Sequence, residues 1–263
     1  MRKISILMLL ILISFVCDVQ SGPLSKYYMV QWQNAGMQVI QGNNVVQSWA
    51  SAGNCELAVA VNGTIKTAAY YYSGGYGVEY SLTGTNMGST YPVYYTYHLH
   101  DGTTDGTYNY AIEWASQQIY RFDTNWSNPQ AIFSTSGLGL GNMLGITYDP
   151  TDKTLWLQGH GNYNIAHVTM SGTLLGSFTI NEYYAGALAM DYADNTLWYY
   201  AYNAHQLHQY SRTGVLLQQA NITGLGSSLW GGEFDLQIAV PEPATFSLVG
   251  LFVIALYFFK KQA

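Results

Sequence analysis

Apolar and polar residues alternate in short runs along the chain, and turn residues interrupt them every few positions. "KYYMVQW" from Lys26, "GMQVIQ" from Gly36 and "NVVQSWA" from Asn44 follow one another in this way, and "SLWGGEFDL" from Ser228 repeats the pattern near the other end. Alternation over runs this short, bounded by Gly, Asn and Asp, predicts β-strands rather than helices.

The runs recur. "GITYDPTDKTLWLQ" from Gly145 aligns with "ALAMDYADNTLWYY" from Ala187: Asp149 meets Asp191, Asp152 meets Asp194 and Trp156 meets Trp198, all at an offset of 42. The register continues through Ile165 and Leu207 to Gly172 and Gly214 in the turns "SGTLLG" and "TGVLLQ". Steps of 42 back from Trp156 reach Trp114 and then Tyr72, and a step forward from Asp191 reaches Glu233. Earlier units are shorter, although "EYSLTG" ending at Gly84 resembles "QYSRTG" ending at Gly214.

Such a period, with Gly or Asp turns and an aromatic in each unit, predicts an all-β fold: a β-propeller of four-stranded antiparallel blades. The 219 residues from Gly22 to Val240 make about five blades of this length. The strand within Ser228–Leu236 is expected to join the three N-terminal runs in one blade, a closure that removes free sheet edges at the chain ends. The units resemble the blades of NHL-type and gluconolactonase-like propellers in pattern. The alternative architecture, an open β-sandwich, leaves the aromatic phase unexplained.

Composition agrees with many strands and tight turns: of 263 residues 24 are Tyr and 27 Gly, and only 9% are charged. Charge then excludes one class of partner. From Gly22 to Val240 thirteen carboxylates face five Lys and Arg, a net of −8, which repels nucleic acid. Cys55 is the one cysteine in that span, so it forms no intrachain disulfide and reads as a small core hydrophobe.

The two ends read differently from the body. Residues 1–21 combine Arg2 and Lys3, an apolar run from Ile4 to Val16, and Val19 and Ser21 before Gly22, the layout of a secretory signal peptide. Lipid attachment at Cys17 fits poorly, because Val16 stands where a small residue is needed. Residues 22–239 form the propeller domain and 240–263 a separate tail. In the tail, the sixteen residues 244–259 carry no charge and would span about 24 Å as a helix. Lys260 and Lys261 follow, and by the positive-inside rule they keep the far end cytoplasmic and the body outside. Val240, Pro241, Glu242 and Pro243, then one apolar helix, then a basic pair, resemble the PEP-CTERM sorting signal of Gram-negative bacteria. That resemblance covers about the last 25 residues, with lysines where the family usually has arginines. It implies recognition and cleavage by exosortase, a membrane-embedded cysteine transpeptidase, and delivery to the cell surface or to exopolysaccharide.

Candidate chemistry is sparse. The Asp pairs 149/152 and 191/194 recur with the repeat and read as turn caps rather than calcium or acid–base sites. Trp114, Trp156 and Trp198 likewise read as packing between blades. Histidines break the repeat, and propeller function sits on loops that differ between blades. His98, His100 and Asp101 in "YHLHDGTTDG" form a candidate metal constellation. His160, Asn162, Tyr202 and His205 in "GHGNYN" and "AYNAHQ" form a candidate ligand site where the two clearest blades diverge. No hydrolase, zincin or phosphate-loop motif is present. Two readings follow. One is a non-enzymatic surface or extracellular-matrix protein with a carbohydrate partner and no cofactor; the other is a metal-assisted hydrolase or lactonase using calcium on central carboxylates.

Overall fold

The computed structural model describes residues 22–32, 36–70, 75–91 and 98–237. Residues 1–21, expected to be a leader, Tyr72, and residues 240–263, with the expected sorting motif, the apolar run and the lysines, lie outside the described residues. Among those described there is no α-helix, and no helix is long and apolar enough to cross a membrane.

The N-terminal strands are β1 (Tyr27–Gln31), β2 (Gly36–Gln41) and β3 (Asn44–Trp49). Blade 1 holds β4 (Glu56–Val61), β5 (Thr64–Ala69), β6 (Gly77–Ser81) and β7 (Asn86–Tyr91); blade 2 holds β8 (Leu99–Thr104), β9 (Tyr108–Glu113), β10 (Gln118–Asp123) and β11 (Gln130–Ser134). Blade 3 holds β12 (Asn142–Asp149), β13 (Thr154–His160), β14 (Asn164–Thr169) and β15 (Leu174–Thr179). Blade 4 holds β16 (Ala185–Asp191), β17 (Thr196–Ala201), β18 (Gln206–Tyr210) and β19 (Leu216–Ala220). The last strand, β20 (Leu229–Phe234), pairs with β1, so blade 5 runs β20-β1-β2-β3. The expected closure is present, and the open sandwich is ruled out.

Burial falls from the axis outward. The inner strands β4 and β16 are buried at every position, whereas β15 and β19 are mostly exposed. An inner strand is covered on both faces and crowded by its neighbours around the axis, which explains runs of small residues such as "AGALAMD". A Cβ on Gly231 would lie 1.8 Å from the Leu57 carbonyl oxygen. Repeat positions also fit blade to blade: Gly172 and Gly214, both at positive φ, lie against Phe133 and Phe178 of the preceding blade, as Gly84 lies against Trp49.

The offset of 42 is structural for Trp156 and Trp198, the third residues of β13 and β17. It is not for Trp114, which stands one residue past β9. Trp114 does contact the next blade, through His160 of blade 3, but it does so at the end of the ring rather than within the strands. Asp149 and Asp191 do cap their turns, accepting from the Thr151 and Ala193 amides at 3.0 Å.

Polar groups fill the axis. Asp101 is fully buried and accepts from the amides of Gly102 at 2.9 Å, Ile146 at 3.0 Å and Gly232 at 3.0 Å, which joins blades 2, 3 and 5. Glu233 accepts from the Thr147 hydroxyl at 3.0 Å, and that hydroxyl accepts from the Met190 amide at 3.1 Å. Burial pushes the Glu233 carboxyl up to about 8 against hydrogen bonds from Thr103, Phe234 and Thr147, and it pushes Asp101 well above the usual carboxylate range.

Candidate functional site

The second strand of each blade ends at the same end of the ring, and each delivers an aromatic or imidazole side chain there. Trp32, Tyr70, Trp114 and Tyr202 stand one residue past β1, β5, β9 and β17, and His160 is the last residue of β13. Their spacings along the chain are 38, 44, 46 and 42 residues. Connections of different length in each blade therefore hide a five-fold position from any fixed period.

Four of these residues, from four blades, line a cavity of about 310 Å³ together with His100 on β8, Leu144 on β12, and Ser228 and Trp230 at β20. The rings form a connected wall. His100 stacks on Trp32 at 5.7 Å and on Trp114 at 4.9 Å between centroids, with the Tyr70 edge at 4.8 Å. His160 meets Trp114 and Trp230 at 5.2 Å each, and Trp230 stacks on Tyr202 at 5.3 Å. Glu113 fixes the hairpin carrying Trp114 by accepting from the Ala115 amide at 3.2 Å and the His98 amide at 3.0 Å.

Among the described residues, no charged side chain is in this lining. Burial drives the His100 imidazole down to about 3, helped by His160 and His98, and burial lowers His160 against its bond to Ala185. Both rings are neutral at physiological pH. His160 Nδ1 faces the Ala185 carbonyl oxygen at 3.4 Å; a carbonyl only accepts, so Nδ1 carries the proton and Nε2 is left as an acceptor. His100 is 8% exposed, and neither of its nitrogens has a hydrogen-bond partner among the described residues.

The sequence candidates separate accordingly. His160 and Tyr202 line the cavity; Asn162 and His205 brace loops. The Asn162 amide donates to the Gly139 carbonyl at 2.8 Å and its oxygen accepts from the Asn164 amide at 2.7 Å. His205 engages the Tyr200 hydroxyl at 2.9 Å and the Leu225 carbonyl at 3.2 Å. The metal constellation His98, His100 and Asp101 is not assembled: successive residues of a strand face opposite ways, so His100 lines the cavity while Asp101 enters the axis. His98 Nδ1 lies 4.0 Å from Glu113 instead.

Among the described residues, the one cluster with metal-ligand geometry is Asp149, Asp152 and His167. Arg212 of blade 4 already serves these carboxylates, 2.7 Å from Asp149 and 2.6 Å from Asp152, and Trp156 donates to Asp149 at 3.2 Å. The cluster is an electrostatic clamp between blades 3 and 4. The carboxylates buried at the axis, Asp101 and Glu233, are turned to amides and hydroxyls.

Trp32, Trp230, Leu144 and Ser228 escaped the sequence reading, and Trp114 was read as packing rather than as cavity lining. The available signal was an aromatic at the end of each second strand, read by strand position rather than by fixed offset.

No protein-family model matches this chain, and no curated protein matches it. Among solved structures, a chain of the nidogen/laminin complex is similar at 14% identity with a TM-score of 0.55, covering 81% of this chain and 98% of that one. A streptogramin B lyase is similar at 12% identity with a TM-score of 0.50, covering 83% and 88%. What is shared is the fold. At such identity the likeness carries no ligand or reaction to this chain.

Proposed function

We propose that the chain is an exported cell-surface or extracellular-matrix binding protein, whose propeller presents the aromatic cavity to an extracellular polysaccharide. The observation that carries this reading is the cavity itself: three indoles and a tyrosine from three blades, around neutral hydrogen-bonding groups, with no charged side chain in the lining among the described residues. Aromatic faces cover the apolar faces of a ligand, while a few polar groups fix its orientation. The leader 1–21, the Val240–Pro243 motif, the apolar run 244–259 and Lys260 and Lys261 support export, membrane attachment and exosortase processing in a Gram-negative host.

Two measurements test the halves separately. Full-length protein in a sugar-free detergent is titrated with neutral and anionic polysaccharides while tryptophan emission is followed; a saturable change that Trp230→Ala removes is expected. No saturable change with any polysaccharide overturns the binding half. For sorting, mass spectrometry of the C-terminus of protein from an exosortase-containing host should find the tail removed, and replacing Pro241, Glu242 and Pro243 by alanine should leave it in place. Wild-type protein still ending at Ala263 overturns the sorting half.

A further inference from the structure

We infer that the cavity is a blind pocket for the terminal ring of a neutral, hydroxyl-rich glycan, not a groove for the middle of a chain. The inference rests on the carbohydrate reading above and adds which part of the ligand is bound and by which group.

The first argument is the floor. A propeller axis can be a channel, but here Asp101, Glu233, Thr103, Thr147 and Tyr27, all buried, occupy it. Asp101 alone ties three blades across it, so a polymer has no exit below the cavity. The second argument is size. A volume of about 310 Å³ stands at the lower limit of ligand pockets, roughly 300–1,000 Å³, which suits one or two sugar rings.

The third argument is hydrogen bonding. A neutral imidazole has one N–H donor and one bare nitrogen acceptor. His100 holds both buried in the wall, without a hydrogen-bond partner among the described residues, while its two faces are taken by Trp32 and Trp114. Leaving such atoms unpaired is unfavourable, so a ligand that both donates and accepts gains most. Hydroxyl groups do both. His160 Nε2 adds an acceptor, and Ser228 and Tyr202 add hydroxyls at the rim. Among the described residues of this lining, a carboxylate or phosphate would meet no cation, and an ammonium group would meet no carboxylate.

The test titrates full-length protein in sugar-free detergent with a bound neutral polysaccharide, then competes with its monosaccharide and its non-reducing-end trisaccharide. Competition by these small ligands is expected, and with a (1→3)-linked polymer, whose internal rings carry no vicinal diol, periodate cleavage of the terminal rings should abolish binding. His100→Phe keeps the stacking and removes both nitrogens; at an unchanged melting temperature it should weaken binding roughly 10- to 100-fold. If the polymer binds but neither small ligand competes and end-cleaved polymer binds equally well, terminal recognition is overturned while the carbohydrate reading stands. Binding by anionic glycans alone overturns the neutral assignment. Unchanged affinity in His100→Phe overturns the role of the imidazole. If no carbohydrate binds, the carbohydrate reading fails and this inference with it.

Discussion

Gly214 and Gly88 share a left-handed backbone, with φ of 82° and 84°, but not their surroundings. A Cβ on Gly214 would lie 2.5 Å from the Phe178 Cβ, whereas one on Gly88 meets nothing within 4 Å. Alanine at 88 should therefore cost only the backbone term of a left-handed residue, about 1 kcal/mol. Alanine at 214 adds a clash between blades and should cost roughly 2–3 kcal/mol. Equal losses in urea melts of the two variants would show that the contact with Phe178 contributes nothing. Glu233 gives a residue-scale prediction in pH. Its carboxyl is held protonated up to about 8 in the fold against an ordinary 4.5, so the folded chain binds the extra proton throughout that window. Its stabilisation is complete below 4.5 and is lost as pH rises toward 8. Buried His100, held neutral, acts oppositely and costs stability as pH falls below its ordinary 6.5. Glu233→Gln should match the wild type near pH 5 and exceed it increasingly toward pH 8.5, as thermal melts across that range will report. Parallel curves would mean that Glu233 is not held neutral.

At the scale of elements, what distinguishes the blades is how each grips the next. Asp149 and Asp191 are equivalent turn caps, yet Asp149 is met by Arg212 of blade 4 and Asp191 by the Ser25 amide at 3.0 Å. Asp149 is fully buried, so removing Arg212 strands its charge. The usual cost of breaking a buried pair is roughly 3–5 kcal/mol; Arg212 and Asp152 are partly solvated, so roughly 2–3 kcal/mol is expected here. Arg212→Met should lower the unfolding free energy by that amount, and Asp149→Asn in the same chain should restore part of it. A double-mutant cycle with no coupling would refute the clamp.

For the molecule as a whole, closure is the feature on which the other contacts depend. Blade 5 draws β20 from one end of the described chain and β1 to β3 from the other, so its ladder is the seam of the ring. Deleting residues 26–49 removes three of its four strands and opens the faces of blades 1 and 4 to water. That variant should show no cooperative melt and should bind a dye for exposed apolar surface. A transition close to that of the intact chain would mean that four blades are stable without the seam. The aromatic cavity depends on the same closure, since Trp32 and Trp230 both come from the seam blade.

Strand order, turn chemistry, the repeat of blades 3 and 4 and the closing blade were all legible in the sequence. They depend on local alternation, on glycines such as Gly172 and Gly214 that need positive φ, and on neighbours pairing with neighbours. Which residues meet at the mouth was not legible, because convergence depends on where each second strand ends in space. Connections of unequal length shift that position along the chain, so Trp114 matched Trp156 by offset but corresponds to His160 by place. The adjacent pair His100 and Asp101 shows the same limit within one strand. Their alternation says that they face opposite ways; only the assembled ring decides that one way is the cavity wall and the other the axis, because other blades supply what each side chain meets: blades 1 and 5 for His100, blades 3 and 5 for Asp101.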